Sequence, residues 1–488
     1  MGPEDSRPEL VAAMLDPGFY PHGPSTVELR ETHTSWVFLA GELAYKVKKP
    51  VRFPFLDYGT AERRREMCGE EVRLNRRLAP SIYLGVLGIA RSGDRYLLLP
   101  EDDPAAVEYT VEMRRVDEDR SLASLATAGT LERGHVTAVA DLLARFHADA
   151  EPAPPERSRA RALTAPITDN VAELTDACGG ALEGRALEAA REFTRRFVAA
   201  RLPELEARGP GGRVRDCHGD LRAEHVIVPG DGEVYVYDCV EFNPALREID
   251  VGADLAFLVM DLARLGAEAA AATLVARYRD EGGDPGDDAL VEFYACYRAW
   301  VRAKVACLRA AELEPGDAEH EAQRRGAREL FRLGRRFAWR ARCPVAVVVC
   351  GVAGTGKTTL ARELAELGGL EHVSSDVTRK RLAGLSPTDR AAEEHYTPEF
   401  TRRAYAEMGA RARAVLDRGG GAIVDATFHR RDARVAFRDA LGMHAAPVVF
   451  IECRVPREIA LERVRGRRED ESASDAGVAI VERQLAEA

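Results

Sequence analysis

Lysine is scarce in this chain. Of 488 residues only six are lysine (46, 48, 49, 304, 357 and 380), so arginine supplies 69 − 6 = 63 of the basic side chains. Four of the six lysines sit in two short stretches, 46–49 and 357, which marks those stretches for a task that arginine does less well. Long hydrophobic runs are missing too. The longest, such as 344–350, fall far short of the roughly 20 apolar residues a membrane helix needs. The start, MGPEDSRPELVAAMLD, lacks the basic-then-apolar pattern of a secretion signal. Nine cysteines (68, 178, 217, 239, 296, 307, 343, 350 and 453) are scattered without C-x-x-C or His/Cys metal spacing, a pattern of buried thiols in a reducing compartment. The expectation is a soluble cytoplasmic protein. Basic excess is also absent: 69 − 80 = −11, which argues against nucleic acid or a membrane surface as partner.

What is present is ordinary globular material, 46% apolar and 31% charged, long enough for two or three domains. The acidity is uneven. Residues 341–488 carry 23 basic and 22 acidic side chains, leaving 46 − 58 = −12 for residues 1–340. SWVFL and LAYKV alternate like two strands of a hairpin turning at Gly41. Residues 60–78 have helical spacing, and strands are expected at 82–89, 95–99 and 107–116. A helix is expected near 185–207. A compact strand pair follows over 225–238, turning on Gly230-Asp231-Gly232. Helices fill 252–341, the last of them a basic hinge over 325–343. From Val345 strand and helix alternate, which implies a parallel sheet covered on both faces.

Gly351-Val352-Ala353-Gly354-Thr355-Gly356-Lys357-Thr358 fits G-x-x-x-x-G-K-[ST] between a buried strand and a helix. Glycines at 351, 354 and 356 let backbone N–H groups, with those of Thr355 and Thr359, curl around phosphate at a helix N-terminus. Lys357 would reach the β- and γ-phosphates of ATP and Thr358 would hold Mg²⁺. Asp376, in Ser374-Ser375-Asp376, is placed to take a proton from an incoming hydroxyl, with Arg379 to steady the phosphoryl group. Asp425, at the end of Ala422-Ile423-Val424, is suited to the Mg²⁺ shell. Arg463, Arg465, Arg467 and Arg468 on one helical stretch could form a lid, with Arg463 and Arg467 over the nucleotide; a solvated helix face is the competing explanation.

On GVAGTGKTT, SSDVTR, IVDATF and the Arg-rich stretch, residues 345–488 resemble the small P-loop kinases, among them gluconate and adenylylsulfate kinases. Those folds usually close with another strand after the lid helices, whereas VAIVERQLAEA reads as helix and the expected edge strand is absent.

His218-Gly219-Asp220 followed by a strand pair and a second acid, Asp238, can bring two carboxylates together, one to accept a hydroxyl proton and one to bind Mg²⁺. This arrangement resembles the aminoglycoside-phosphotransferase and choline-kinase branch of the protein-kinase-like fold, over roughly 25–330. The resemblance implies a strand lysine paired with a helix glutamate; Lys46 and Glu71 fit, with Lys48 and Glu70 as second choices. Thr32-His33-Thr34-Ser35 stands where a Gly-rich lid would lie, and Asp254 resembles the buried brace of the catalytic loop. One position departs: His225 stands where the family has a metal-binding Asn. Either His225 serves the metal site, bridging through water, or the first domain is weakened.

With TSWVFL, AYKVKKP, VRLNRRLAP, HGDLRAEH and DCVEFNPALR ahead of a P-loop, the whole chain resembles bacterial fused proteins described as bifunctional aminoglycoside-phosphotransferase-like and ATP-binding. The expected fold is therefore an α+β protein-kinase-like domain over 1–340 (N-lobe about 25–116, C-lobe about 117–330). An α/β P-loop kinase domain with a parallel sheet follows over 341–488. The implied activity is ATP- and Mg²⁺-dependent phosphorylation of small-molecule hydroxyls at two sites. Two alternatives stand: one active P-loop kinase with a regulatory first domain, or an ATP-driven switch binding a protein partner. An acidic first domain favours a cationic amine electrostatically, through Glu241, Asp250 or Asp117, although a neutral sugar fits equally; polynucleotide, gluconate-like and antibiotic hydroxyls stay open for the second.

Overall fold

The computed structural model describes residues 9–487 apart from 54–55, 94, 179, 231–232, 387–388, 390 and 467–476. It divides into two compact units, Met1–Gly179 with Glu183–Gly286 and Tyr297–Lys304, and Gly180–Leu182 with Asp287–Cys296 and Val305–Ala488. Among the described cysteines seven are free thiols, and Cys178 and Cys307 are disulfide-bonded, which corrects the expectation of nine thiols.

The first unit opens with a six-stranded antiparallel sheet. Its strands run in the order Val27–Glu31, Ser35–Ala40, Leu43–Lys48, Ala106–Arg114, Tyr83–Ser92 and Arg95–Pro100. The SWVFL–LAYKV hairpin forms as expected, with Gly41 in the left-handed region at φ +63°. Alternation along Leu43–Lys48 sends Tyr45 and Val47 to one face, where they join Phe38, Ile89, Val11 and Met14. Ala44, Lys46 and Lys48 take the other. There Ala44 and Val111 pack on Cys68 and Val72 of the helix Ala61–Asn75, which starts at Thr60, whose side chain accepts from the Arg63 N–H. That packing brings Glu71, on the same helix, to the lysines.

The rest of this unit is largely helical around two small antiparallel pairs, Val214–Asp216 with Glu248–Asp250 and Val226–Ile227 with Tyr235–Val236. The second pair is the expected one; Asp231 and Gly232 of its turn lie outside the described residues. The helix Val251–Arg264 is buried along nearly its whole length and supplies acids from below.

In the second unit four parallel strands lie in the order Glu371–Ser374, Gly421–Asp425, Val345–Cys350, Val448–Glu452. Val345–Cys350 is central and apolar throughout, as a strand covered on both faces must be. One face packs on Tyr405, Met408, Phe428 and Phe437, the other on Ala361 and Ala365 of the helix Lys357–Gly368. Parallel strands place their carboxyl ends at one edge, which is where loops of such sheets meet ligands.

Candidate active site

In the first unit Lys46 donates to Glu71 Oε1 at 2.7 Å and to Asp238 Oδ1 at 2.8 Å. Burial works against both charges, but Lys46 and Lys48 outweigh it at Glu71, and Lys46 leads the charges that hold the Asp238 carboxyl far below its ordinary range. Asp238 has φ +65°, a left-handed conformation uncommon for a non-glycine residue, and its N–H donates to Tyr83 Oη at 3.2 Å. Lys46 and Asp238 line a cleft of about 580 Å³ whose walls mix apolar side chains (Val37, Leu39, Ala44 and Met113) with charged ones, among them Arg30, Arg115, Asp117 and Glu118. Apolar walls suit a base and a lysine beside an acid suits phosphates and a metal. The Thr32 loop borders the same cleft.

The two second choices fare differently, for Lys48 also bonds Glu71, at Oε2. Lys48 is fully buried, and Glu70 pairs with Arg73 and Arg247.

Asp254 accepts from the backbone N–H groups of His218 at 3.0 Å and Gly219 at 2.8 Å and bonds His147 Nε2 at 3.2 Å. Burial pushes its carboxyl up, but the hydrogen bond from His147 and the charges of His147 and His218 hold it well below the usual range. His147, Cys217 and Asp254 lie close enough to share a metal ion, yet both nitrogens of His147 and both oxygens of Asp254 are used in bracing, with Tyr278 Oη 2.9 Å from His147 Nδ1. His218 sends Nε2 to the Tyr237 carbonyl at 3.1 Å while Nδ1 is buried without a partner among the described residues. Burial accordingly lowers its pKa to about 4. Gly219 has φ +88° and a Cβ there would meet the Leu246 carbonyl at 2.8 Å, so the turn before Asp220 requires glycine.

Asp220 is not alone. Arg222 Nε donates to Asp220 Oδ2 at 3.0 Å, and Arg222 Nη2 lies 3.0 Å from His225 Nε2. A guanidinium has only N–H to give, so Nε2 accepts, and Nδ1 carries the ring hydrogen to the Asp220 carbonyl at 2.9 Å. The Nε2 lone pair that a cation would need is thus directed at Arg222, and Asp238 Oδ2 lies 3.6 Å away. His225 as it stands positions Arg222 and the Asp220 backbone, which corrects its expected place among the metal ligands. Arg222, unmarked in the sequence reading, is the residue that meets both; its position two residues after Asp220 was the available signal. Burial opposes the Asp220 charge, but Arg222 leads the groups that lower its pKa.

In the second unit Gly351, Gly354 and Gly356 have φ of +142°, +83° and +88°, and Gly354 could not carry a Cβ, which would meet the Ala460 carbonyl at 2.5 Å. Thr355 Oγ1 donates to the Val352 carbonyl at 2.8 Å, and Lys357 Nζ lies over the same carbonyl at 3.5 Å. Thr358 and Thr359 open the helix Lys357–Gly368. Thr359 and Arg463 line one cavity of about 510 Å³ with Gly354 and Gly356, so these expected nucleotide contacts do meet. Arg467 and Arg468 lie outside the described residues. Gln484, which the sequence reading missed, accepts from the Ala353 N–H at 2.9 Å and so fastens the helix Val478–Glu487 to the loop.

Asp425 ends the strand beside the loop strand and Asp376 lies in the first turn after the next strand, with Ser374 in register with Asp425. Asp425 is 1% exposed, and its Oδ1 has no hydrogen-bond partner among the described residues. A buried carboxylate oxygen without a donor fits a hard cation. Arg379 does not join this edge: it donates to the His395 carbonyl and to Thr401 Oγ1 at 3.3 Å and stacks on Tyr396. Its expected phosphoryl contact is corrected to a contact with the 395–401 segment.

Residues 118–293 match the Phosphotransferase enzyme family and residues 347–488 the family described as AAA domain. An uncharacterized protein of Mycobacterium tuberculosis is 34% identical over 467 residues, 93% of this chain and 89% of its own length, and one of Mycobacterium bovis matches equally. The chain belongs to this family of fused phosphotransferase and P-loop kinase proteins. Among solved structures, the GDP and kanamycin complex of APH(2")-IIia is 14% identical, covering 66% of the fused kinase and 98% of that chain at a TM-score of 0.40. A choline/ethanolamine kinase family protein from Mesorhizobium loti is 14% identical, over 68% and 99% of the two chains, at a TM-score of 0.39. A sugar kinase from Janibacter is 28% identical over 29% of the fused kinase and 75% of its own length, at a TM-score of 0.21. The two family matches, with the six-stranded antiparallel and the four-stranded parallel sheet, give the chain an α+β phosphotransferase-family first part and a parallel-sheet P-loop second part. No described helix is long and apolar enough to cross a membrane.

Proposed function

We propose that the fused kinase transfers the γ-phosphoryl group of ATP to hydroxyls of small molecules at two sites, each with its own nucleotide and Mg²⁺. The observation that carries this is the Lys46 ammonium held between Glu71 and Asp238, where Lys46 and Asp238 line a cleft with both apolar and charged walls, in a chain that also bears a complete phosphate loop. At the first site Lys46 would hold phosphate oxygens, Asp238 would bind the metal, and Asp220 would accept the hydroxyl proton. At the second, Lys357 and the loop N–H groups would hold phosphates, Thr358 and Asp425 the metal, and Asp376 the proton. Mg²⁺ would supply charge neutralisation on the phosphates at both.

A cationic acceptor gains little from the acids expected to favour it. Glu241 is bound by Lys48 and Tyr58, and Asp250 by Arg208, so of the three only Asp117 lines the cleft, where its Oδ1 also accepts from the Asp119 N–H at 3.1 Å. A neutral hydroxyl compound fits as well.

A second reading is favoured by Arg222: with the Asp220 carboxylate and the His225 ring both engaged, the first unit would bind nucleotide and transfer slowly or not at all. A panel of hydroxyl-bearing metabolites and antibiotics, coupled to ADP release, separates the two. Turnover of one set of acceptors lost in Lys357→Ala and of another set lost in Asp220→Asn supports two sites; turnover lost wholly with Lys357→Ala supports one.

A further inference from the structure

Lys46 was expected to work with one glutamate, but the structure gives that glutamate a second lysine. Lys48, two residues on and therefore on the same face of its strand, is fully buried. Its ammonium has three hydrogens and three acceptors: Glu71 Oε2 at 2.6 Å, Glu241 Oε1, and Tyr58 Oη at 3.4 Å. Tyr58 Oη in turn donates to Glu241 Oε1 at 2.6 Å. Glu71 divides its oxygens, Oε1 to Lys46 and Oε2 to Lys48. Glu241 lies three residues after Asp238, so the segment carrying Asp238 is held twice, by Lys46 at one end and Lys48 at the other. The helix that carries Glu71 holds it a third time, where Asn75 Oδ1 accepts from the Cys239 N–H at 2.9 Å.

The geometry assigns Lys48 a task distinct from that of Lys46. With no exposed surface it touches no nucleotide. The last torsion of a glutamate is broad and two-fold, so a Glu71 held by Lys46 alone could turn its carboxylate away. With Oε2 fixed by Lys48, Oε1 has one direction left, toward Lys46. We propose that Lys48, through Glu71 and Glu241, is a positioning residue that fixes Lys46 and Asp238 for the nucleotide phosphates, with Tyr58 holding Glu241 in place. A buried ion cluster is a poor way to gain stability, since apolar side chains of similar volume serve as well or better; what it supplies is fixed geometry. The inference rests on the reading of the first unit as a nucleotide site.

The test uses the full chain with Lys357→Ala, which silences the phosphate loop, and a fluorescent ATP analogue (mant-ATP) with Mg²⁺ as probe. In that parent, Lys46→Ala is expected to weaken binding at least tenfold and Lys48→Met about tenfold. The double variant is expected to lose clearly less than the two single losses combined, because Lys48 acts in large part through the group already removed. Glu241→Gln, which keeps an acceptor and the side-chain shape, is the milder second variant and is expected to show the same lack of additivity with Lys46→Ala. The inference is overturned if Lys48→Met or, should that chain not fold, Glu241→Gln lowers only the melting temperature and leaves affinity unchanged. Additive losses overturn it as well. A parent that binds no mant-ATP defeats the nucleotide-site reading itself and the inference with it, while normal parent binding with unaffected variants defeats the inference alone.

Discussion

Arg222 lies on the carboxylate that would do the chemistry of the first site. An ion pair at 3.0 Å keeps Asp220 charged, as a proton acceptor must be, and also occupies one of its two oxygens. Asp220→Asn keeps the shape and removes the basicity, so acceptor phosphorylation at this site is expected to fall by about 10²–10⁴-fold with nucleotide affinity changed little. Steady-state rates beside mant-ATP titration check this, and a loss of affinity equal to the loss of rate would contradict it. A second prediction concerns Glu292, whose Oε2 is buried without a hydrogen-bond partner among the described residues. Burial raises its pKa to about 7, so the folded chain prefers the neutral acid while the unfolded chain ionises at its ordinary value. Stability from this group is therefore complete in acid and lost as pH rises through about 7, to the extent of roughly 3 kcal/mol. Glu292→Gln is expected to raise the melting temperature at pH 8 and leave it unchanged at pH 4.5. Equal shifts at both pH values would contradict that account.

The elements were more legible than the contacts between them. The hairpin around Gly41, the helix 61–75 and the phosphate loop follow from short-range patterns: alternation, a threonine cap, and glycines at fixed spacing. Lys46 with Glu71 came from a resemblance. The role of Lys48 could not, because its partner Glu241 is 193 residues away and nothing local marks a buried lysine on a strand. Arg379 misled for the same reason: helical spacing put it near Asp376, but Tyr396 and Thr401, distant in sequence, hold it elsewhere. At this scale the phosphate loop makes a sharp prediction. Gly354→Ala would place a methyl 2.5 Å from the Ala460 carbonyl in a backbone region that side chains rarely adopt. Nucleotide binding at the second site is expected to fall at least tenfold while binding at the first is unchanged. Isothermal titration of the variant with Mg²⁺·ATP checks this, one class of sites remaining; two intact classes would contradict it.

For the whole molecule, the scarcity of lysine now has a physical reading. Three of the six lysines cluster at 46, 48 and 49, where 46 and 48 share one glutamate, and a fourth stands in the phosphate loop. Lys48, fully buried, meets Glu71, Glu241 and Tyr58 with the three hydrogens of a compact ammonium. Several of the acids of residues 1–340 are bound internally and do not face an acceptor, Glu71 and Glu241 by lysines, Asp250 by Arg208, Asp254 by backbone N–H groups. Net charge therefore says little about either acceptor. The central claim is that one chain carries two phosphotransfer sites. The most direct measurement is transfer of labelled γ-phosphate to a panel of hydroxyl acceptors by the parent, Asp220→Asn, Lys357→Ala and the double variant. The account predicts that each single variant loses a different set of acceptors and the double variant loses all. A double variant that still transfers phosphate, or one single variant that abolishes everything, would contradict it.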